Sequence, residues 1–163
     1  GRITPEKGFD TLIKAFNESD FYDSYKLVIA GGVEFEDSYK KQLDSLIGND
    51  NVVFAGYVFG VKLAQLYTNA RLYVISSYNE GFPLVMLEAM SYGLEILASD
   101  ISATHLIALD KNSYFKKGNF TELAQKINET INTNSCKPSY DLSDYDWNKI
   151  ALRTTEIYKQ LLK

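Results

Sequence analysis

The feature that most limits how this chain can fold is the alternation of short, almost wholly apolar runs with longer amphipathic ones. Lys26-Leu27-Val28-Ile29-Ala30, Asn51-Val52-Val53-Phe54-Ala55, Leu72-Tyr73-Val74-Ile75-Ser76 and Glu95-Ile96-Leu97-Ala98-Ser99 each read as a strand, and Ser113-Tyr114-Phe115 as a short fifth. Runs this apolar suit strands covered on both faces, as in a parallel sheet. Between them, Phe9–Asn17, Phe35–Ile47, Val61–Asn69, Pro83–Tyr92 and Phe120–Ile131 read as helices. Gly93 falls where a helix C-cap glycine is useful. Trp147–Leu162 forms a last helix carrying Ile150, Ile157 and Leu161, and residues 132–145 read as polar loop. The alternation predicts a Rossmann-like α/β domain, a doubly wound parallel sheet with right-handed crossovers. No repeat or internal boundary interrupts it, and 163 residues suit one domain spanning 1–163.

Composition narrows the function. A net charge of −4 argues against a nucleic-acid partner, which needs a basic face. One histidine and one cysteine cannot build a thiolate–imidazole metal cage. The single cysteine also rules out an intrachain disulfide, which fits a reducing compartment. No apolar run approaches the ~20 residues that span a bilayer. The chain opens on Gly1-Arg2-Ile3 without an initiator methionine and is expected to be part of a longer protein.

In open α/β sheets the ligand sits outside the carboxyl ends of the strands. After the third apolar run the chain reads Ser76-Ser77-Tyr78-Asn79-Glu80-Gly81-Phe82-Pro83-Leu84-Val85-Met86-Leu87-Glu88. Pro83 suits the first helical position, which leaves the amides near Gly81, Phe82, Leu84 and Val85 at a helix N-terminus able to bind phosphate. Glu80 lies in the strand-to-helix turn and Glu88 inside the helix, and carboxylates of this kind accept paired hydroxyls. A glutamate beside a phosphate needs compensation, and Arg2 and Lys7 offer a guanidinium and an ammonium.

Gly1-Arg2-Ile3-x-Pro5-Glu6-Lys7-Gly8-Phe9-Asp10, together with Glu80-Gly81-Phe82-Pro83-Leu84-Val85 and Glu88-Ala89-Met90, resembles the C-terminal domain of retaining glycosyltransferase family 4, the glycosyl transferases group 1 set. The Gly56-Tyr57-Val58 turn, Leu66-Tyr67-x-x-Ala70 and Ser99-Asp100 extend the resemblance over essentially the whole chain. It implies the donor-binding half of a two-domain B-type fold, with an N-terminal acceptor domain outside this chain. It implies that Arg2 and Lys7 neutralise a donor diphosphate and Glu80 contacts the transferred sugar. Gly81, Phe82, Leu84 and Val85 would offer backbone amides, Glu88 would hold the ribose, and Tyr57 and Val58 would flank the base through backbone contacts. The implied donor is a UDP- or GDP-sugar, the acceptor a saccharide or lipid-linked saccharide, and the product retained in configuration, with no metal or other cofactor. A cytoplasmic setting in bacterial surface-polysaccharide assembly follows by the same analogy. Any peripheral membrane association would reside in the rest of the protein.

The chain departs from the family after Ser99-Asp100, where a Gly-x-x-Glu arrangement is usual. Ala103 stands for the glycine and Leu106 for the glutamate. Two rival readings stay open: an epimerase or inverting transferase of the same fold, and a non-catalytic module. Gly31-Gly32 lacks the spaced third glycine of a dinucleotide fingerprint and reads as a tight turn. His105 reads as a structural or surface histidine, Cys136 as incidental, and Trp147 as an anchor for the last helix.

Overall fold

The apolar runs become strands; Ile96 to Ser99 are buried throughout, whereas Val28 and Ala55 stay exposed. The computed structural model describes residues 1–33, 38–48, 50–133 and 137–162. Its strands are β1 (Leu27–Ala30), β2 (Val52–Gly56), β3 (Leu72–Ile75), β4 (Glu95–Asp100) and β5 (Tyr114–Lys116), all paired in parallel. The helices are α1 (Phe9–Glu18), α2 (Ser38–Asp44), α3 (Gly60–Asn69), α4 (Leu84–Ser91), α5 (Phe120–Asn132) and α6 (Trp147–Leu161). The expected start of the second helix, Phe35, lies outside the described residues, as does Cys136.

The period of two along a strand explains the layering. On β4, Ile96 and Ala98 pack with Met86, Ala89 and Met90 of α4. Leu97, between them, packs on the opposite face with Leu12 and Ala15 of α1 and Leu123, Ala124 and Ile127 of α5. Phe115 of β5 joins that second layer, and its ring is 1 % exposed. A third cluster gathers Ile13 and Phe16 of α1 with Ile29 of β1, Val52 of β2, and Tyr39 and Leu43 of α2. Helix α1 therefore serves two clusters with different faces. Residues 12 and 15 look one way and residues 13 and 16 another, as 3.6 residues per turn require.

The sheet is not continuous. β1 and β2 pair with each other, and β3, β4 and β5 form a separate three-stranded piece. The segment ahead of α1 lies between them. The Gly1 nitrogen donates to the Ala30 carbonyl at 2.8 Å, and the Ile3 amide to the Gly32 carbonyl at 3.0 Å. At Gly31 a β-carbon would sit 1.6 Å from the Gly1 carbonyl oxygen, so only glycine lets the two backbones approach. On the other side the Tyr78 amide donates to the Glu6 carbonyl at 2.7 Å, and the Ser76 hydroxyl to the Lys7 carbonyl at 3.0 Å.

Two helix ends differ from expectation. Pro83 precedes α4 rather than opening it, with φ −81° and ψ 76°. At the other end Gly93 and Leu94 close the helix as anticipated, their amides donating to the Met90 and Ala89 carbonyls. Helix α6 forms with the Asp146 carboxylate capping the Asn148 and Lys149 amides, yet it buries no residue. Trp147 is 74 % exposed and anchors nothing among the described residues. No helix among the described residues is long and apolar enough to cross a membrane.

The core makes a direct expectation. Truncating the ring in Phe115→Ala should cost about 3–5 kcal/mol through lost burial and the cavity left behind. Urea unfolding followed by circular dichroism measures it.

Candidate functional site

Lys7, on the segment between the two pieces of sheet, meets Glu80 after β3, while Tyr57 and Val58 follow β2 and Glu88 lies within α4. A 3-10 turn, Pro5–Lys7, crosses the end of β3, and Gly8 ends it with φ 62°. A β-carbon at Gly8 would lie 2.2 Å from the Ser76 carbonyl oxygen. Glycine here lets the turn lie flat on the strand end, which sets where Lys7 points.

Lys7 Nζ donates to Glu80 Oε1 at 2.6 Å. The Ser77 hydroxyl donates to the same oxygen at 2.7 Å. Glu80 Oε2 has no partner among the described residues. The Glu80 side chain is 12 % exposed and that of Lys7 28 %, so the pair is partly withdrawn from water without being sealed off. An ammonium carries three N–H donors, so Lys7 can satisfy Glu80 and still present donors outward. The two acids and the cation share one neighbourhood. Arg2 is exposed, and its charge reaches Glu6. The Glu6 carboxyl is lowered first by backbone hydrogen bonding and then by the Thr4 hydroxyl, with smaller contributions from the Arg2 and Lys7 charges.

Glu88 lies one turn further into α4. Tyr67 of α3 donates its hydroxyl to Glu88 Oε2 at 2.9 Å. Tyr67 is fixed in turn by rings on two sides: Tyr92 is stacked at 5.2 Å and Tyr73 tilted at 5.9 Å. Burial, with Tyr73 and the Glu88 carboxylate adding to it, pushes the Tyr67 hydroxyl far above its ordinary value, so it stays a donor. Tyr73 is raised as well, by burial first and then by the charges of Glu88 and Glu80.

The amides expected at the start of α4 are only partly available. The Leu84 amide donates to the Phe82 carbonyl at 2.9 Å, so it is already occupied. The bend at Pro83 that moves the helix start also makes this tight turn. Gly81 is exposed, its amide and those of Phe82 and Val85 make no main-chain hydrogen bond among the described residues, and the Phe82 ring sits 6.1 Å from Tyr145. Tyr57 presents a ring as well as backbone. It lies across Gly32, where a β-carbon would meet it at 2.1 Å, and stacks on Phe59 at 6.2 Å with planes 6° apart. Both rings are mostly exposed, Tyr57 at 58 % and Phe59 at 73 %, while Val58 between them is half-buried.

Sequence reasoning did not find Phe59, Ser77 or the role of Tyr67. The serines that follow β3 were in view, but a hydroxyl donating three residues ahead carries no pattern of its own. The pairing of Tyr67 with Glu88 joins residues 21 apart on two different helices, which no local periodicity reports.

The chain as a whole has relatives. Residues 1–145 match the glycosyl transferases group 1 family, and the chain belongs to it. An uncharacterized glycosyltransferase of Methanocaldococcus jannaschii is 32% identical over 170 residues, covering 98% of this chain and 43% of that protein. A capsular polysaccharide biosynthesis glycosyltransferase of Staphylococcus aureus is 29% identical over 84% of this chain and 37% of its own length. The chain thus spans less than half of these relatives. Among solved structures, Anabaena HepE in complex with UDP and glucose superposes with a TM-score of 0.73 at 27% identity, over 81% of this chain and 37% of that one. The catalytic domain of cholesterol-alpha-glucosyltransferase from Helicobacter pylori gives 0.70 at 28% identity, over 80% of this chain and 82% of that one.

The geometry around Gly8 yields an expectation. Gly8→Ala forces a left-handed residue, worth about 1–2 kcal/mol, and adds a clash with the Ser76 carbonyl. Its loss of stability in urea should therefore exceed about 2 kcal/mol, whereas Gly81→Ala, in open space, should stay within about 0.5 kcal/mol.

Proposed function

We propose that the protein containing this chain transfers a hexosyl group from a UDP- or GDP-sugar to a saccharide or lipid-linked acceptor, with retention of anomeric configuration. This chain is the donor cradle. The observation that carries the reading is the Lys7–Glu80 pair, 2.6 Å apart at the end of β3. The pair is only partly buried, and Glu80 Oε2 has no hydrogen-bond partner among the described residues. In this reading Lys7 and Arg2 neutralise the diphosphate as negative charge grows on the leaving nucleotide. Charge stabilisation of this sort is usually the largest catalytic contribution. Glu80 Oε2 takes a hydroxyl of the transferred sugar. Glu88, pinned by Tyr67, takes the ribose, and the free amides of Gly81, Phe82 and Val85 serve the phosphates or sugar. The Tyr57–Phe59 pair and Val58 form the wall for the base.

The names of the relatives support the setting. The Anabaena neighbour was solved with UDP and with UDP-glucose, and the Staphylococcus relative belongs to capsular polysaccharide biosynthesis. A uridine or guanosine diphosphate sugar and a role in bacterial surface polysaccharide are accordingly the proposal. The acceptor site lies in the part of the protein outside this chain, together with any hold on the inner face of the membrane. The reading needs no metal, since cationic side chains do the metal's work.

Calorimetry of the full-length protein with UDP, GDP and ADP tests the cradle, and a folded sample that binds none of them sinks it. Lys7→Ala should lower kcat/KM by roughly 10²- to 10³-fold, with activity unchanged by EDTA. An inverted product anomer, read by NMR, would exclude the retaining assignment.

A further inference from the structure

A cleft of about 510 Å³ opens beside Glu80, and of its lining only Glu80 has a role above. It lies across the carboxyl ends of three adjacent parallel strands. β3 leads to Asn79 and Glu80, β4 ends in Asp100 and turns to His105, and β5 leads to Lys117. Its size is that of a small-ligand site.

Its polar groups are held in place. His105 Nε2 lies 2.6 Å from Asp100 Oδ1. The imidazole stacks on Tyr114 at 4.3 Å, and the Tyr114 hydroxyl reaches the Ile107 carbonyl at 3.3 Å. The turn that carries His105 is fastened by Thr104, fully buried, whose hydroxyl lies 2.7 Å from the Ser99 carbonyl and 2.8 Å from that of Ile101. The Ser99 hydroxyl donates to the Ser77 carbonyl at 2.6 Å. Ser77 holds Glu80. One buried chain of hydroxyls and carbonyls therefore fixes His105 and Asp100 relative to Glu80.

The chemistry selects the ligand. Two carboxylates face one ammonium and one imidazole, which disfavours a second phosphate. Carboxylates and a side-chain amide are acceptors and donors suited to hydroxyl groups. Asp100 keeps its second oxygen, Oδ2, without a partner among the described residues, as Glu80 keeps its Oε2. We propose that this cleft is a pyranose subsite in which Asp100, aimed by His105, accepts hydroxyls of the donor's sugar beyond Glu80. The proposal rests on the donor-binding reading above. It places a specificity-determining carboxylate and a positioning histidine in the loop where Ala103 and Leu106 depart from the family pattern.

Titration calorimetry of the full-length protein tests this, with UDP against UDP-glucose and GDP against GDP-mannose, using whichever pair the wild type binds. Asp100→Asn and His105→Ala should each weaken the nucleotide sugar by roughly five- to thirtyfold, the loss of a charge-assisted hydrogen bond at a half-exposed site. The free nucleotide should bind within about twofold of wild type, which also reports that the variants are folded. His105→Gln, which can still donate to Asp100, should recover most of the sugar affinity. Equal losses for nucleotide and nucleotide sugar, or no loss for either, overturn the proposal while leaving the cradle intact. Wild-type protein that binds no nucleotide at all overturns the cradle and this subsite with it.

Discussion

The first eight residues hold the site together. They hydrogen-bond to β1 and the loop after it on one side, through Ala30 and Gly32, and to the end of β3 on the other, through Ser76 and Tyr78. Each bond is a backbone-length contact that tolerates little error, and glycines at 8 and 31 are what permit the approach. Without that bridge the two pieces of sheet would share no hydrogen bonds at their carboxyl ends. Lys7 would have no fixed relation to Glu80. The site is less a pocket carved into a fold than the place where the fold is joined.

The joint also settles an electrostatic conflict. In the proposed donor-binding reading, two glutamates close to the start of α4 would repel a phosphate. The protein treats them differently. Glu80 is matched with an ammonium and a serine hydroxyl, so its charge is balanced locally. Glu88 is matched with a neutral phenol that burial, Tyr73 and the Glu88 carboxylate itself keep protonated. One acid is thereby neutralised and the other merely oriented, and the second sits a turn deeper into α4, farther from the charge it would oppose.

Much of this was legible in the chain itself. Every strand was visible as a short apolar run, buried throughout at Ile96–Ala98 and open to water at Val28, and the helices between them fell within a few residues of their bounds. Lys7 and Glu80 could be paired in advance because strand ends gather on one edge. The break between β2-β1 and β3-β4-β5 was not legible, since strand periodicity says that a strand is covered, not what it pairs with. Pro83 was placed one residue too far into its helix, because its side chain suits either position and only the backbone turn at Phe82 decides. Helix α6 was recognisable from its pattern, but a pattern cannot say whether the apolar face has something to meet, and Trp147 meets nothing among the described residues. His105 looked incidental because its partner Asp100 gains meaning only once Tyr114, from the next strand, slides beneath the ring.

Helix α1 gives the two sheets a common spine. Ile13 and Phe16 press on the β1–β2 leaf, and Leu12 and Ala15 on the leaf of β3, β4 and β5. Neither leaf can swing from the other without stripping one side of that spine, and a stripped side exposes several large apolar groups at once. The seam therefore has no soft hinge among the described residues. Rotation between the leaves would have to break these contacts, so the spacing of Lys7 and Glu80 depends on α1 staying packed against both.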